Sequence, residues 1–505
     1  MRKTLLSAAL ALCCWFGAGF AGSAVQAGPN GEARYLVHFR TEKVLPPNGD
    51  HTFVVSTLQK QLENNLSGLD KLSGLKNITR LWISNSIAVT TTPEGVAKLK
   101  SLPNVTEVKP TVYRIWIDKD IERHSVKADT QAQWSISKVR APEVWSKYKI
   151  DGTGVVVGHL DTGIDATHPA LAGKVLAFKD FTAAHQTTPY DDQGHGSHTA
   201  GSIAGGNGVG VAPGARLICG KIFDSQGGAE DAGLLEAMQW VMDPDGNPAT
   251  NDGPKLVSNS WGSDDSTDQS FRQAVQNWVA AGILPVFAAG NNGPQGKVGT
   301  PGGYPQAWAV GATTKTDTIA YFSSVGPVAW DGVTLVKPDI SAPGHGVISC
   351  AVGGGLVANS GTSMACPHVA GLAALMFQAN PSLKMEEVRS IAEATALDLG
   401  TPGKDNTFGA GRFDAMACIT KLLGNTSLDV AFAAYPASLE AERSLIGIQA
   451  SSPLAAPLAH SLVIRALELD AGEFRSLQQR FASNPIVSEL LKEASSARLS
   501  DELQK

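Results

Sequence analysis

The spacing of apolar residues along the chain changes twice, dividing it into three parts. Between residues 28 and 130 short amphipathic runs alternate. Arg34–Arg40 has the alternation of a strand, and Phe53–Leu66 repeats its apolar positions at helical spacing. Ile78–Thr90 reads as a hairpin turning at Asn85. Thr92 followed by Pro93 predicts a helix to Leu102, with threonine as cap and proline in the first turn. Val105–Ile117 closes this part as one extended segment, and the polar stretch from Asp118 to Gln133 has turn-like composition. Strand, helix, two strands, helix, strand is the order of a ferredoxin-like α+β unit.

From 131 to 423 the apolar runs become short, nearly continuous and β-branched, with helical stretches between them. Val155–Leu160, Leu256–Ser260 and Leu284–Ala288 are of this kind, as parallel strands buried on both faces must be. An α/β domain with a mostly parallel sheet between helices is expected, and ligands in such sheets sit beyond the carboxyl ends of the strands. There the chain places Asp161-Thr-Gly163, Ser260-Trp-Gly262 and Ala289-Gly290-Asn291. Three polar or glycine-rich strand ends converging in this way mark a candidate site. The third part, 424–505, begins with an Ala/Ser/Pro-rich stretch, Tyr435–His460. Two amphipathic helices, Leu462–Phe481 and Ile486–Leu503, follow, broken at Ser483-Asn484-Pro485. Their charges alternate in sign, as on a solvated helical extension.

Composition refines this picture at the N-terminus and at the cysteines. Arg2 and Lys3 precede an uncharged run from Thr4 to Val25, ending at the small-residue site Val25-Gln26-Ala27. Residues 1–27 therefore read as a cleaved export signal, placing the mature chain outside the cell or in the periplasm with no stable membrane span. Removal of the signal leaves Cys219, Cys350, Cys366 and Cys418. Export permits disulfides, and four cysteines allow three pairings; buried free thiols fit the spacing equally well. The net charge of −6 argues against a nucleic-acid partner.

The chemistry-bearing residues stand in distinctive settings. His195 lies in Asp192-Gln-Gly-His-Gly-Ser-His-Thr-Ala-Gly201, where small residues let a helix start close against its neighbours. Ser363 lies in Gly361-Thr-Ser-Met-Ala-Cys-Pro-His368, ahead of the helical run Val369–Ala379. A serine at a helix N-terminus has free amides and a positive dipole end beside it, which favour a developing oxyanion. Serine is a nucleophile only with a base in reach and a third group behind that base. His195 and His198 have the spacing of a metal pair, but no third ligand follows, and His198 reads as a structural histidine. Gly361-Thr-Ser-Met-Ala365 departs from the Gly-x-Ser-x-Gly elbow, and the chain order Asp161, His195, Ser363 departs from that of the α/β-hydrolases.

These three blocks, in this order and 34 and 168 residues apart, resemble those of the subtilisin-like (subtilase) serine peptidases over residues 133–420. The resemblance implies an endopeptidase in which Asp161 orients His195, His195 is general base and then acid, and Ser363 forms the acyl-enzyme. It places Asn291 in the oxyanion hole beside the Ser363 amide. Ser260-Trp261-Gly262 and Ala288-Ala289-Gly290 become the S1 walls, with Gly299 at the floor, where the missing side chain leaves room for a large apolar P1 residue. Gly227-Gly228 becomes the edge along which a substrate strand adds. The 28–130 unit resembles the inhibitory propeptides of this family. Protein or peptide substrates and the chain's own propeptide are then the partners, and catalysis needs no metal or other cofactor.

Two departures accompany the resemblance. Many subtilisins carry His-Pro-Asp-Leu with a calcium-binding aspartate, whereas this chain has His168-Pro-Ala-Leu171 and only Gly205–Val209 in the adjoining loop. That calcium site is expected to be missing, and a structural calcium elsewhere has no locatable site in the sequence. Cys366 stands where Thr or Ser is frequent and reads as a packing thiol. Two other functions remain open at this point: a catalytically silent binding scaffold and a narrow processing peptidase.

Overall fold

The computed structural model describes Ser23–Ala24 and residues 31–41, 44–67, 69, 72–117, 123–126 and 132–425. The predicted helices beyond 460, and the cleavage site of the export signal, lie outside these residues.

After β1 (Ser23–Ala24), the N-terminal unit comprises β2 (Ala33–Phe39), α1 (His51–Leu66), β3 (Lys76–Leu81), β4 (Ser86–Thr91), α2 (Pro93–Lys100) and β5 (Val105–Pro110). Its antiparallel sheet runs β3-β4-β2-β5, the ferredoxin-like order. Local chemistry explains the boundaries. Asp50 caps α1 by accepting from the Phe53 amide, and Thr92 caps α2. Asn85 makes the hairpin turn with a left-handed backbone, φ 45°, which asparagine tolerates better than most residues.

The predicted single strand Val105–Ile117 is in fact two. The chain turns at Thr111, and β6 (Val112–Ile115) leaves the ferredoxin-like sheet to lie between β1 and a strand of the next domain. The stretch read as turn-like beyond Asp118 also contains a strand, β7 (Arg123–Val126). Its polar residues carry no core pattern because it pairs at a sheet edge rather than in a core.

The main domain contains α3 (Trp134–Lys138), α4 (Ala141–Tyr148), β8 (Val156–Asp161), β9 (Val175–Asp180), α5 (His195–Ala204), β10 (Arg216–Lys221), β11 (Gly228–Glu230) and α6 (Asp231–Met242). It continues with β12 (Leu256–Asn259), α7 (Arg272–Ala280), β13 (Leu284–Ala288), β14 (Trp308–Thr313), β15 (Val328–Trp330) and β16 (Val333–Leu335). Last come β17 (Ile340–Pro343), β18 (Val347–Cys350), β19 (Leu356–Asn359), α8 (Thr362–Ala379), α9 (Met385–Ala394) and α10 (Ala415–Asn425). Seven strands form one parallel sheet in the order β17-β14-β13-β12-β8-β10-β9. The order reverses at β8, so the crevice beside its carboxyl end is the place for a site.

One core contains the buried α5 and α8. The other holds α6 and α7 together with the apolar residues of the N-terminal unit, from Leu36 and Val37 to Trp82 and Ile83. The docking is specific as well as apolar: Asn277 Nδ2 donates to Ile83 O at 2.6 Å, and the Ile83 amide donates to Gln239 Oε1 at 3.4 Å. All four cysteines of the main domain are buried and free, which settles the choice left open by their spacing. Burial pushes the Cys366 thiol up to about 12, so it acts as a packing group. No described helix is long and apolar enough to cross a membrane.

Candidate active site

Asp161 ends β8 and is 1% exposed. Its Oδ1 lies 2.7 Å from His195 Nδ1 and accepts from the Thr162 amide at 2.7 Å, while Oδ2 accepts from Thr199 Oγ1 at 3.0 Å. Burial pushes the Asp161 carboxyl up, but the adjacent His195 and the hydrogen bonds it accepts hold it below the usual carboxylate range. A carboxylate held in this way on one ring nitrogen fixes the tautomer and orientation of an imidazole.

The start of α5 is clamped so that His195 stays in place. Asp191 accepts from the amides of Gln193, Gly194 and Ser197 and from Ser197 Oγ. Thr162 Oγ1 donates to the same carboxylate and accepts from the Gly196 amide. Glycine at 196 is obligatory, since a Cβ there would stand 2.2 Å from Gly163 O. Beneath this loop the fully buried Lys221 ammonium donates to Thr162 O, Asp192 Oδ1 and Phe223 O at 2.6, 2.6 and 2.8 Å. Asp191 and Lys221 are invisible as site residues in the sequence. The only signal is the acidic pair Asp191-Asp192 just before the His195 helix.

Ser363 is the second residue of α8, which starts earlier than the predicted run Val369–Ala379 and accommodates Pro367 in its second turn. Ser363 Oγ donates to Ser260 O at 3.0 Å. Asn291 Oδ1 accepts from the Thr362 amide and from Thr362 Oγ1, at 2.8 and 2.9 Å. With its oxygen committed, the other end of the amide is its donor. Asn291 and Ser363 line one cavity with Trp261, Gly262, Ala288, Ala289, Gly290 and Gly299. The structure thus brings together residues from the ends of β12, β13 and α8 that the sequence had placed separately.

Gly299 lines the cavity, and a Cβ on it would stand 1.8 Å from Ser263 O, so glycine here lets the backbone of the opposing wall approach closely. A second finding had no counterpart in the sequence: Trp116, from the N-terminal unit, forms one side of this cavity. Its ring meets those of Trp261 and Phe271 edge-on, with centroids 5.8 and 5.4 Å away. β6 pairs antiparallel with β11, Arg114 opposite Ala229 and Ile115 opposite Gly228. The Trp116 amide donates to Gly227 O at 2.9 Å. Further along the chain β7 pairs with β19, Arg123 opposite Asn359, four residues before Ser363.

His198 lies apart from this chemistry. It is buried, with Nε2 against Val347 O at 3.0 Å, and burial lowers its pKa to about 3. The His168 ring bonds to Gly355 O and to the Ala170 amide. Among the described residues one acidic group, Asp243, Asp245 and Asp252, brings carboxylate oxygens within 4.8 Å of one another.

The subtilase family model matches residues 152–411. The chain is 36% identical to bacillopeptidase F of Bacillus subtilis over 68% of its own length, and spans only 26% of that protein. It is 32% identical to alkaline elastase YaB of a Bacillus species over 79% of its length and 94% of the relative's. It is 37% identical to subtilisin Savinase of Lederbergia lenta over 56% of its length and 97% of the relative's. The chain belongs to the subtilase family and is a serine-type endopeptidase.

Proposed function

We propose that the protein is an exported endopeptidase that hydrolyses peptide bonds through an acyl-enzyme on Ser363. His195 takes the proton from Ser363 Oγ as that oxygen attacks the carbonyl carbon, then returns it to the leaving amine. A water repeats the sequence to release the acid. Asp161 stabilises the imidazolium, and Asn291 with the Ser363 amide stabilises the oxyanion. The chemistry uses no cofactor. The observation that carries this reading is the buried 2.7 Å bond between Asp161 and His195 at the strand ends that hold Ser260 and Asn291.

The cleft walls Trp261, Gly262, Ala288, Ala289 and Gly290 are apolar or small, so the enzyme prefers large apolar P1 residues. The N-terminal unit is an inhibitory propeptide, removed after its own chain is cut. Support comes from β6, which adds to β11 at Gly228 as an extended substrate does. A fluorophosphonate probe tests the enzyme reading. It should label the mature protein on Ser363 and abolish activity; an active enzyme that is labelled elsewhere, or not at all, overturns it.

A further inference from the structure

Arg114, on β6, reaches past its own unit into the main domain. Its Nη1 donates to Asp268 Oδ2 at 2.6 Å, and Nη2 lies 3.3 Å from Asp231 Oδ2. The guanidinium carbon sits 5.4 Å from the centre of the Trp116 ring. Asp231 opens α6 and is 2% exposed, and its Oδ1 has no hydrogen-bond donor. Asp268 stands in the loop before α7, its other oxygen accepting from the Ser270 amide at 2.8 Å. Burial pushes the Asp231 carboxyl up to about 6, and the cations that oppose this, Arg114 and Lys109, both belong to the N-terminal unit.

A carboxylate whose cations come from a removable segment loses those partners when the segment departs. The main domain retains Asp231 and Asp268 at the groove where β6 adds to β11. We propose that Asp231 and Asp268 form a substrate subsite for a guanidinium side chain, at the position opposite Ala229 and two residues before the residue that takes the place of Trp116. The mature enzyme then selects an extended Arg-x-aromatic pattern. Alternate residues of a strand face the same side, so the arginine reaches the acids while the aromatic ring meets Trp261 and Phe271. Arginine suits the place better than lysine, because its planar fork engages two carboxylates at once. This inference rests on the reading of β6 as a bound substrate strand.

Internally quenched peptides carrying residues 110–126 test it on the active enzyme purified after full-length expression. Replacing the arginine equivalent to Arg114 by alanine should lower kcat/KM about tenfold, and by glutamate about a hundredfold, with lysine between arginine and alanine. The variant Asp268→Asn should bring the arginine-to-alanine ratio close to one. Equal cleavage of the arginine, alanine and glutamate peptides by the wild type overturns the subsite while leaving the peptidase intact. Failure to cleave any peptide sinks both readings. If Asp268→Asn does not fold, the peptide series on the wild type decides alone.

Discussion

Ser260 and Ser363 hold each other by two hydrogen bonds that run in opposite directions. Ser260 Oγ donates to Ser363 O at 2.8 Å, and Ser363 Oγ donates to Ser260 O at 3.0 Å. The first has a cause in the sequence. The helical partner of Ser363 O would be the amide of residue 367, but that residue is proline and has no N–H. Ser260 Oγ supplies the missing donor, tying the end of β12 to the turn that carries Ser363. Ser260→Ala should therefore lower stability by about 1–3 kcal/mol and reduce kcat. Denaturant unfolding and steady-state kinetics check this, and an unchanged midpoint would mean that the carbonyl finds another donor.

Asn291 is oriented by Thr362, so its loss should act on the transition state more than on substrate binding. Asn291→Ala should lower kcat by about 10² to 10³, the range found on removing the corresponding donor of subtilisin, with KM nearly unchanged. A strong rise in KM at constant kcat would remove Asn291 from the oxyanion hole.

Activity should fall in acid. The Asp161 carboxyl is held below the usual range, so it stays ionised and the histidine is the group that titrates. Protonated imidazole cannot accept the Ser363 proton, so kcat/KM should drop about tenfold per pH unit below the range where imidazoles protonate, around 6 to 7. A profile flat from pH 5 to 8 would contradict the assignment of His195 as base.

Far from the cleft, the buried Asp339 accepts from Lys337 Nζ at 2.6 Å and from Arg389 Nη2 at 3.1 Å. Although burial opposes ionisation, these cations hold its carboxyl at about 2. A depressed carboxylate stabilises the fold at pH values above its unfolded pKa, near 4. That contribution disappears as the pH falls from 4 through 2. Asp339→Ala leaves the Lys337 ammonium buried without its anion and should cost about 3–5 kcal/mol at neutral pH. Thermal unfolding across the acid range checks both the size and the direction.

How much of this was legible in the sequence depended on how far apart the interacting residues lie. The order of the N-terminal unit was readable because its signals are local: apolar spacing within each run, a turn-forming Asn85 with a left-handed backbone, and Thr92 accepting from the Gly95 amide three residues on. The blocks around Asp161, His195 and Ser363 were readable because each carries its own strand or helix signal. Ion pairs between Arg114 and Asp231 or Asp268 span more than a hundred residues and leave no periodicity. The strand Arg123–Val126 was missed because an edge strand needs no apolar face. The close approach of Ser263 O to Gly299 was not legible, since composition does not say which neighbour a glycine makes room for.

The central claim is that Ser363 is the nucleophile and that the chain's own strand is its first substrate. Since β6 lies on β11 and β7 on β19, with Ser363 following β19, the first cut should fall between Ile117 and Arg123. Intact mass and N-terminal sequencing of wild type and Ser363→Ala, expressed side by side, test this most directly. The wild type should yield an active chain beginning in that interval together with a released N-terminal fragment. The variant should persist as an uncut precursor. An active wild-type enzyme that still begins near Gly28 would contradict the account.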